Sequence, residues 1–96
     1  MTDMITVRLL ISGRVQGVGY RAWFAGEARR RGLAGWVRNR REGTVEARVR
    51  IAPAALDELL AAARRGPPLA RVEDVAVSEM AGEDRPAGFE VLPTVE

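Results

Sequence analysis

The chain has 96 residues, 47% of them hydrophobic, enough to bury a core in one domain without cross-links. It has no cysteine and no histidine, which excludes disulfides, thiol chemistry, Ser-His and Cys-His nucleophile pairs and the usual zinc sites. All fifteen basic residues are arginine against thirteen acids, so the net charge of +2 is weak evidence for a nucleic-acid partner.

Ile5, Val7, Leu9 and Ile11 alternate with Thr6, Arg8, Leu10 and Ser12, the period of a strand with the first set facing a core. Residues 13–19 read as a loop. Residues 20–31 read as a helix whose stripe is Tyr20, Phe24 and Ala28, with Trp23 beside it and Glu27 and Arg29 to Arg31 leaning to water. Gly32 suits the position just past a helix end, with Leu33 as its apolar partner. Residues 35–39 read as a second strand, 40–43 as a polar hairpin turn ending in glycine, and 45–51 as a third strand with Val45, Ala47, Val49 and Ile51 inward. Pro53 fits the first turn of a second helix with a stripe of Leu56, Leu59, Leu60 and Ala63, and Gly66-Pro67-Pro68 stops it. Residues 71–80 form a fourth strand with Val75 and Val77 on one face. Residues 81–88 form a polar loop, and 89–92 a short last strand, an edge because Pro93 ends it.

The order βαββαβ plus a short strand predicts an α+β, ferredoxin-like split βαβ sandwich, an antiparallel sheet with two helices on one face, over a single domain spanning residues 1–96. No basic segment followed by a long apolar run opens the chain and no stretch is long enough to span a membrane, so no membrane association and a cytoplasmic location are expected. The lack of an obvious exposed apolar patch points to a monomer.

The run Gly13-Arg14-Val15-Gln16-Gly17-Val18-Gly19-Tyr20-Arg21 joins the first strand to the first helix. Its glycines let the backbone turn sharply with N–H groups inward, the helix N-terminus adds partial positive charge and Arg21 a full one, so it makes a cradle for a phosphoryl-sized dianion. The other reading is a glycine-rich βα turn without a ligand. The run also fits a relaxed dinucleotide fingerprint, but the chain is too short for a doubly wound sheet and a hairpin follows. Arg21 works against the helix dipole in a first turn, which favours a functional reading over a plain surface arginine. Gln16 and Asn39 are the only Gln and Asn of the chain. Asn39 suits turn geometry by itself, and with the loop and Arg21 beside it becomes a candidate for holding a water. The topology brings the loop, Arg21 and Asn39 toward one edge of the sheet.

Trp23 and Trp36 read as core. Arg40, Arg41, Arg48 and Arg50 could line a sheet as in RNA-binding domains of this topology. The stacking aromatics of such a surface are missing from the first and third strands, and Glu42 and Glu46 dilute the charge, so no nucleic-acid partner is expected.

These motifs resemble the acylphosphatase family. Gly13, Val15, Gln16, Gly17, Val18, Tyr20 and Arg21 match a signature G-x-V-Q-G-V-x-[FY]-R, and Gly35, Trp36, Val37, Asn39, Gly43 and Val45 match G-[FYW]-V-x-N-x-x-x-G-x-V. Gly66 to Val72 resembles the family's link after the second helix, and Phe89 the aromatic of its last strand. The chain departs at Ile51, where the family often has glycine, and lacks a further aromatic after Phe89. The resemblance implies hydrolysis of a small acyl phosphate to carboxylate and inorganic phosphate. It places the catalytic arginine on Arg21 and the catalytic asparagine on Asn39. The backbone of Val15, Gln16, Gly17, Val18, Gly19 and Tyr20 would hold the phosphoryl oxygens. Because the leaving group is a carboxylate, no general acid, metal or cofactor is required. The alternative is a non-catalytic anion-binding or regulatory domain on the same fold.

Overall fold

The computed structural model describes residues 3–81 and 87–94. Its elements run β1 (Ile5–Arg14), α1 (Tyr20–Arg30), β2 (Ala34–Asn39), β3 (Val45–Ile51), a 3₁₀ turn (Pro53–Ala55), α2 (Leu56–Arg65), β4 (Arg71–Met80) and β5 (Phe89–Val91). The strands form one sheet in the order β4-β1-β3-β2-β5. This is the ferredoxin-like arrangement that the pattern of elements predicts, with one correction. β5 runs parallel to β2, pairing Phe89 with Gly35 and Val91 with Val37, so the sheet is mixed. The other pairings, β1 with β3 and β4 and β2 with β3, are antiparallel.

The core lies between the sheet and the helices. Val7, Leu9 and Ile11 of β1, Val37 of β2, and Val45, Ala47, Val49 and Ile51 of β3 all face it and are buried, as strand alternation requires. Tyr20, Phe24 and Ala28 from α1 and Leu59 and Ala63 from α2 fill it from the other side. The Tyr20 hydroxyl donates to the Ala63 carbonyl at 2.7 Å. That carbonyl lies in the last turn of α2, where it has no intrahelical donor, so one helix caps the other through the core. Burial of this hydroxyl holds its pKa well above the ordinary tyrosine value.

Three boundaries move relative to the sequence reading. β1 continues past Ser12/Gly13, where the register shifts and Glu73 of β4 is left without a partner as a β-bulge, to Arg14, so the loop is shorter, spanning 15–19. Pro53 opens a 3₁₀ turn, and the α-helix begins at Leu56. Most of the polar loop between β4 and β5, at 82–86, falls outside the described residues. α1 ends as expected: Leu33 N–H donates to Ala28 O at 2.9 Å and Gly32 N–H to Arg29 O at 3.0 Å, the paired bonds of a Schellman motif.

Two side chains are misplaced by periodicity. Glu27 is buried rather than turned to water, gripped by Arg30 and Arg31 one turn on. Burial raises its pKa, but the hydrogen bonds from those two guanidiniums outweigh it and hold the carboxyl below its ordinary value. Trp36 stands on the sheet face away from the helices, with the Arg38 guanidinium 4.4 Å and the Arg48 guanidinium 5.7 Å from its ring centroid. The arginines cover it by cation–π contact.

Candidate functional site

The loop between β1 and α1 is pegged at three points. Val15 is fully buried, Val18 packs against the core from a half-buried position, and the Gln16 side chain reaches across to the β2–β3 hairpin. Between these pegs Gly17 and Gly19 adopt φ of 75° and 80°, a left-handed backbone that an L side chain rarely takes. Gly19 is also the N-cap of α1. It offers no capping side chain, and no acid occupies the first turn. Its carbonyl accepts from Trp23 N–H at 3.0 Å, which starts the helix. The N–H groups of Tyr20, Arg21 and Ala22 ahead of that bond have no intrahelical acceptor, as helix geometry demands. The helix dipole favours an anion at that end.

A cavity of about 250 Å³ opens there, lined by Val15, Gln16, Gly17, Gly19, Tyr20, Arg21, Ala22, Asn39 and Val91. The structure thus brings together seven of the eight site residues read from the sequence. Val18 is the exception: its neighbours Gly17 and Gly19 line the cavity, while Val18 turns to the core and to a second cleft. Tyr20 enters the site only through its backbone end, because its ring is buried and its hydroxyl is held by α2. Ala22 and Val91 are lining residues that sequence reasoning missed. Alternation from the inward Phe89 would have placed Val91 on the same face.

Asn39 ends β2 on the core face and is about nine-tenths buried. Its Oδ1 is buried without a hydrogen-bond partner. A buried amide oxygen left unpaired costs on the order of 1–3 kcal/mol, and such an orphan beside a cavity calls for a guest donor. Arg21 lines the same cavity and forms no ion pair with a described carboxylate.

Asn39 is held in place from two directions. Gln16 Nε2 donates to Arg40 O at 2.7 Å and to Thr44 O at 2.8 Å, joining the loop to the first and last residues of the hairpin turn. On the opposite face of the sheet, Glu46 accepts from Arg8 at 2.6 Å, Arg38 at 2.9 Å and Arg40 at 3.0 Å. Partial burial raises the Glu46 pKa, but the three guanidiniums outweigh it and the value falls to about 2. Arg38 and Arg40 flank Asn39 in sequence, so this ion cluster clamps the backbone that carries it. Among the basic residues read as an RNA stripe, Arg40 is engaged with Glu42 and Glu46, and Arg48 lies over Trp36.

The acylphosphatase family model matches residues 7–91. The acylphosphatase of Rhodospirillum rubrum is 50% identical over 92 residues, covering 96% of this chain and all of its own. That of Acidiphilium cryptum is 60% identical over 72 residues, or 75% of this chain and 79% of its own. The crystal structure of acylphosphatase from Bacillus subtilis superposes with a TM-score of 0.87 at 36% identity, covering 94% of this chain and 99% of that one.

Proposed function

The chain belongs to the acylphosphatase family, and from that premise we propose that it hydrolyses acyl phosphates in the cavity at the start of α1, with Arg21 and Asn39 as its catalytic side chains. The phosphoryl group sits on the loop backbone of residues 15–20 and the first-turn N–H groups. Arg21 closes on it bidentately, a geometry suited to its planar fork. Asn39 Oδ1 accepts a hydrogen bond from a water and holds it in line with the bond to be broken. The water oxygen bonds to phosphorus, and the P–O bond to the acyl oxygen breaks with its electron pair. The products are a carboxylate and inorganic phosphate. The proton lost by the water is taken by a phosphoryl oxygen. The departing carboxylate is stable as an anion, so no acid has to protonate it. Catalysis is then positioning plus charge stabilisation, which suits a chain without histidine or cysteine.

The observation that carries this reading is the buried, unpartnered Oδ1 of Asn39 in the same cavity as Arg21 and the open helix N-terminus. The test is hydrolysis of benzoyl phosphate in EDTA by the native chain, Arg21→Ala and Asn39→Ala. Arg21→Ala loses substrate binding and turnover together. Asn39→Ala keeps its affinity for inorganic phosphate and loses turnover on the order of 10²-fold. Full activity in Asn39→Ala would overturn the water-holding role, and a rate abolished by EDTA would overturn metal-free hydrolysis. A folded native chain that binds phosphate without turnover would instead be a non-catalytic anion-binding domain. The proposal keeps the expectations of one domain, a monomer and a cytoplasmic location; sedimentation tests the monomer. No helix among the described residues is long and apolar enough to cross a membrane.

A further inference from the structure

A second and larger cleft, about 580 Å³, lies on the β4 side of the loop, with Arg14 and Arg71 among its lining residues beside Val18, Pro68, Leu69 and Ala70. Gly17 lines both this cleft and the phosphoryl cavity, and a Cβ built there would meet no atom within 4 Å. The wall between the two is therefore low at that residue.

The β-bulge decides what the cleft presents. Up to Ser12, which pairs with Asp74, the β1–β4 register is regular. Continued unbroken, it would set Arg14 against Val72. The register instead shifts at Ser12/Gly13, so that Gly13 pairs with Val72 and Arg14 with Arg71. Gly13 permits the shift: it has φ of 117°, and a Cβ there would lie 2.2 Å from the Arg71 carbonyl oxygen. Two arginines thus stand directly opposite each other on neighbouring strands, an arrangement that is destabilising without an anion between them. Neither forms an ion pair with a described carboxylate, Glu73 and Asp74 of β4 included. The rest of the lining is apolar, with Leu69 74% exposed in the turn after α2.

We propose that this cleft is the acyl subsite, and that it selects acyl phosphates whose acyl group has an apolar body carrying a second anionic group, a carboxylate or a phosphate. The phosphoryl group occupies the α1 cavity, the acyl body passes over Gly17, Val18 and Leu69 cover it, and Arg14 and Arg71 take the distal anion. This rests on the hydrolytic reading above.

The test compares benzoyl phosphate with its 3-carboxy and 4-carboxy derivatives in the native chain and in the doubly substituted Arg14→Gln/Arg71→Gln. Both residues are exposed, so the substitutions leave the core untouched. In the native chain at least one carboxylated substrate has a KM lower than benzoyl phosphate by roughly three- to tenfold, the range two exposed charge pairs supply. In the double variant that ratio falls to one. A native chain that does not distinguish the three substrates overturns the subsite. So does a double variant that loses the same factor on all of them, which would mean long-range attraction of any anion. If the native chain hydrolyses none of the three, it is the hydrolytic reading that fails.

Discussion

Gln16→Leu tests whether the site works by positioning. The substitution keeps side-chain bulk and removes the donor that bridges the loop to the hairpin, two hydrogen bonds of 2.7 and 2.8 Å from one nitrogen. Both acceptors retain another partner: Arg40 O accepts from Gly43 N–H at 3.1 Å and Thr44 O from Arg40 N–H at 2.9 Å. The loss therefore leaves no bare carbonyl, and the expected destabilisation is about 1–2 kcal/mol, two modest hydrogen bonds without an added desolvation penalty. The effect on catalysis should be larger. The loop keeps its pegs at Val15 and Val18, so affinity for inorganic phosphate changes less than about threefold. Asn39 loses its link to the loop, and a displacement of about 1 Å between water and phosphorus costs on the order of 10²-fold. The assays are urea denaturation, the inhibition constant of phosphate, and kcat and KM on benzoyl phosphate. A variant with lower stability and native kcat would falsify the reasoning, because Gln16 would then be a structural tie only. An equal loss in kcat and in phosphate affinity would show instead that the side chain holds the loop's own shape.

Inorganic phosphate at about 100 times its dissociation constant should stabilise the native chain by about 2.7 kcal/mol; thermal denaturation should show this shift reduced or lost in Arg21→Ala, and an equal shift in the variant would remove Arg21 from the anion site. Asn39→Asp keeps an acceptor but adds negative charge facing the phosphoryl group, so KM should rise as kcat falls, unlike Asn39→Ala; steady-state kinetics separates the two. Tyr20→Phe removes the 2.7 Å bond to Ala63 O and leaves a helix-end carbonyl buried, so denaturation should show a loss of about 1–3 kcal/mol. Glu46 is held at about 2, below its ordinary 4.5, so its stabilisation is fully present above about pH 4.5 and is lost as pH falls toward 2. A displacement of that size is worth at most about 3 kcal/mol, and solvent screening of the three partly exposed guanidiniums brings it to about 1–2 kcal/mol. Glu46→Gln should be less stable than native at pH 7 by that amount, and the two denaturation midpoints should converge in acid; a gap that stays constant with pH would refute the charge clamp.

How much of this was legible beforehand follows from what each signal measures. Val7-Leu9-Ile11 and Val45-Ala47-Val49-Ile51 gave their strands and inward faces because half-buried strands must alternate. Gly32-Leu33 gave the end of α1 because few residues complete that hydrogen-bond pair. The site was legible where backbone conformation and charge were unusual for their place: glycines before a helix start, and an arginine in its first turn. What stayed hidden depended on pairing across the sheet. The parallel β5 could not be inferred from its three residues, since direction is set by where the described β4 ends and the chain returns. Periodicity put Glu27 in water because it counts faces and not partners, and Arg30 and Arg31 are what make its burial tolerable. The bulge at Glu73, opposite Ser12/Gly13, left no mark beyond a glycine that could equally have opened the loop. Gln16 looked like a ligand residue because it lies in the loop, and only the hairpin's position shows its amide turned toward Arg40 and Thr44.

The polar side chains around Asn39 divide the work between the two faces of the sheet. Strand alternation sends Asn39 to the helix side and Arg38 to the open side, where Arg38 joins Arg8 and Arg40 around Glu46. The strong ion pairs are thus kept off the cavity, and the polar groups that line it do not cancel each other: Arg21, the backbone N–H groups and the neutral amides of Gln16 and Asn39. A carboxylate inside would pair with Arg21 and compete with the phosphoryl group, and a second cation could claim the attacking water's oxygen. An enzyme that acts by electrostatic positioning gains most when its site dipoles are fixed before the substrate arrives. Here that fixity comes from side chains turned away from the phosphoryl position, through the Gln16 amide on one side of the hairpin and the Glu46 cluster on the other. On the proposed mechanism the chemistry needs only two side chains in the cavity, Arg21 and Asn39, while side chains directed elsewhere determine how well those two perform.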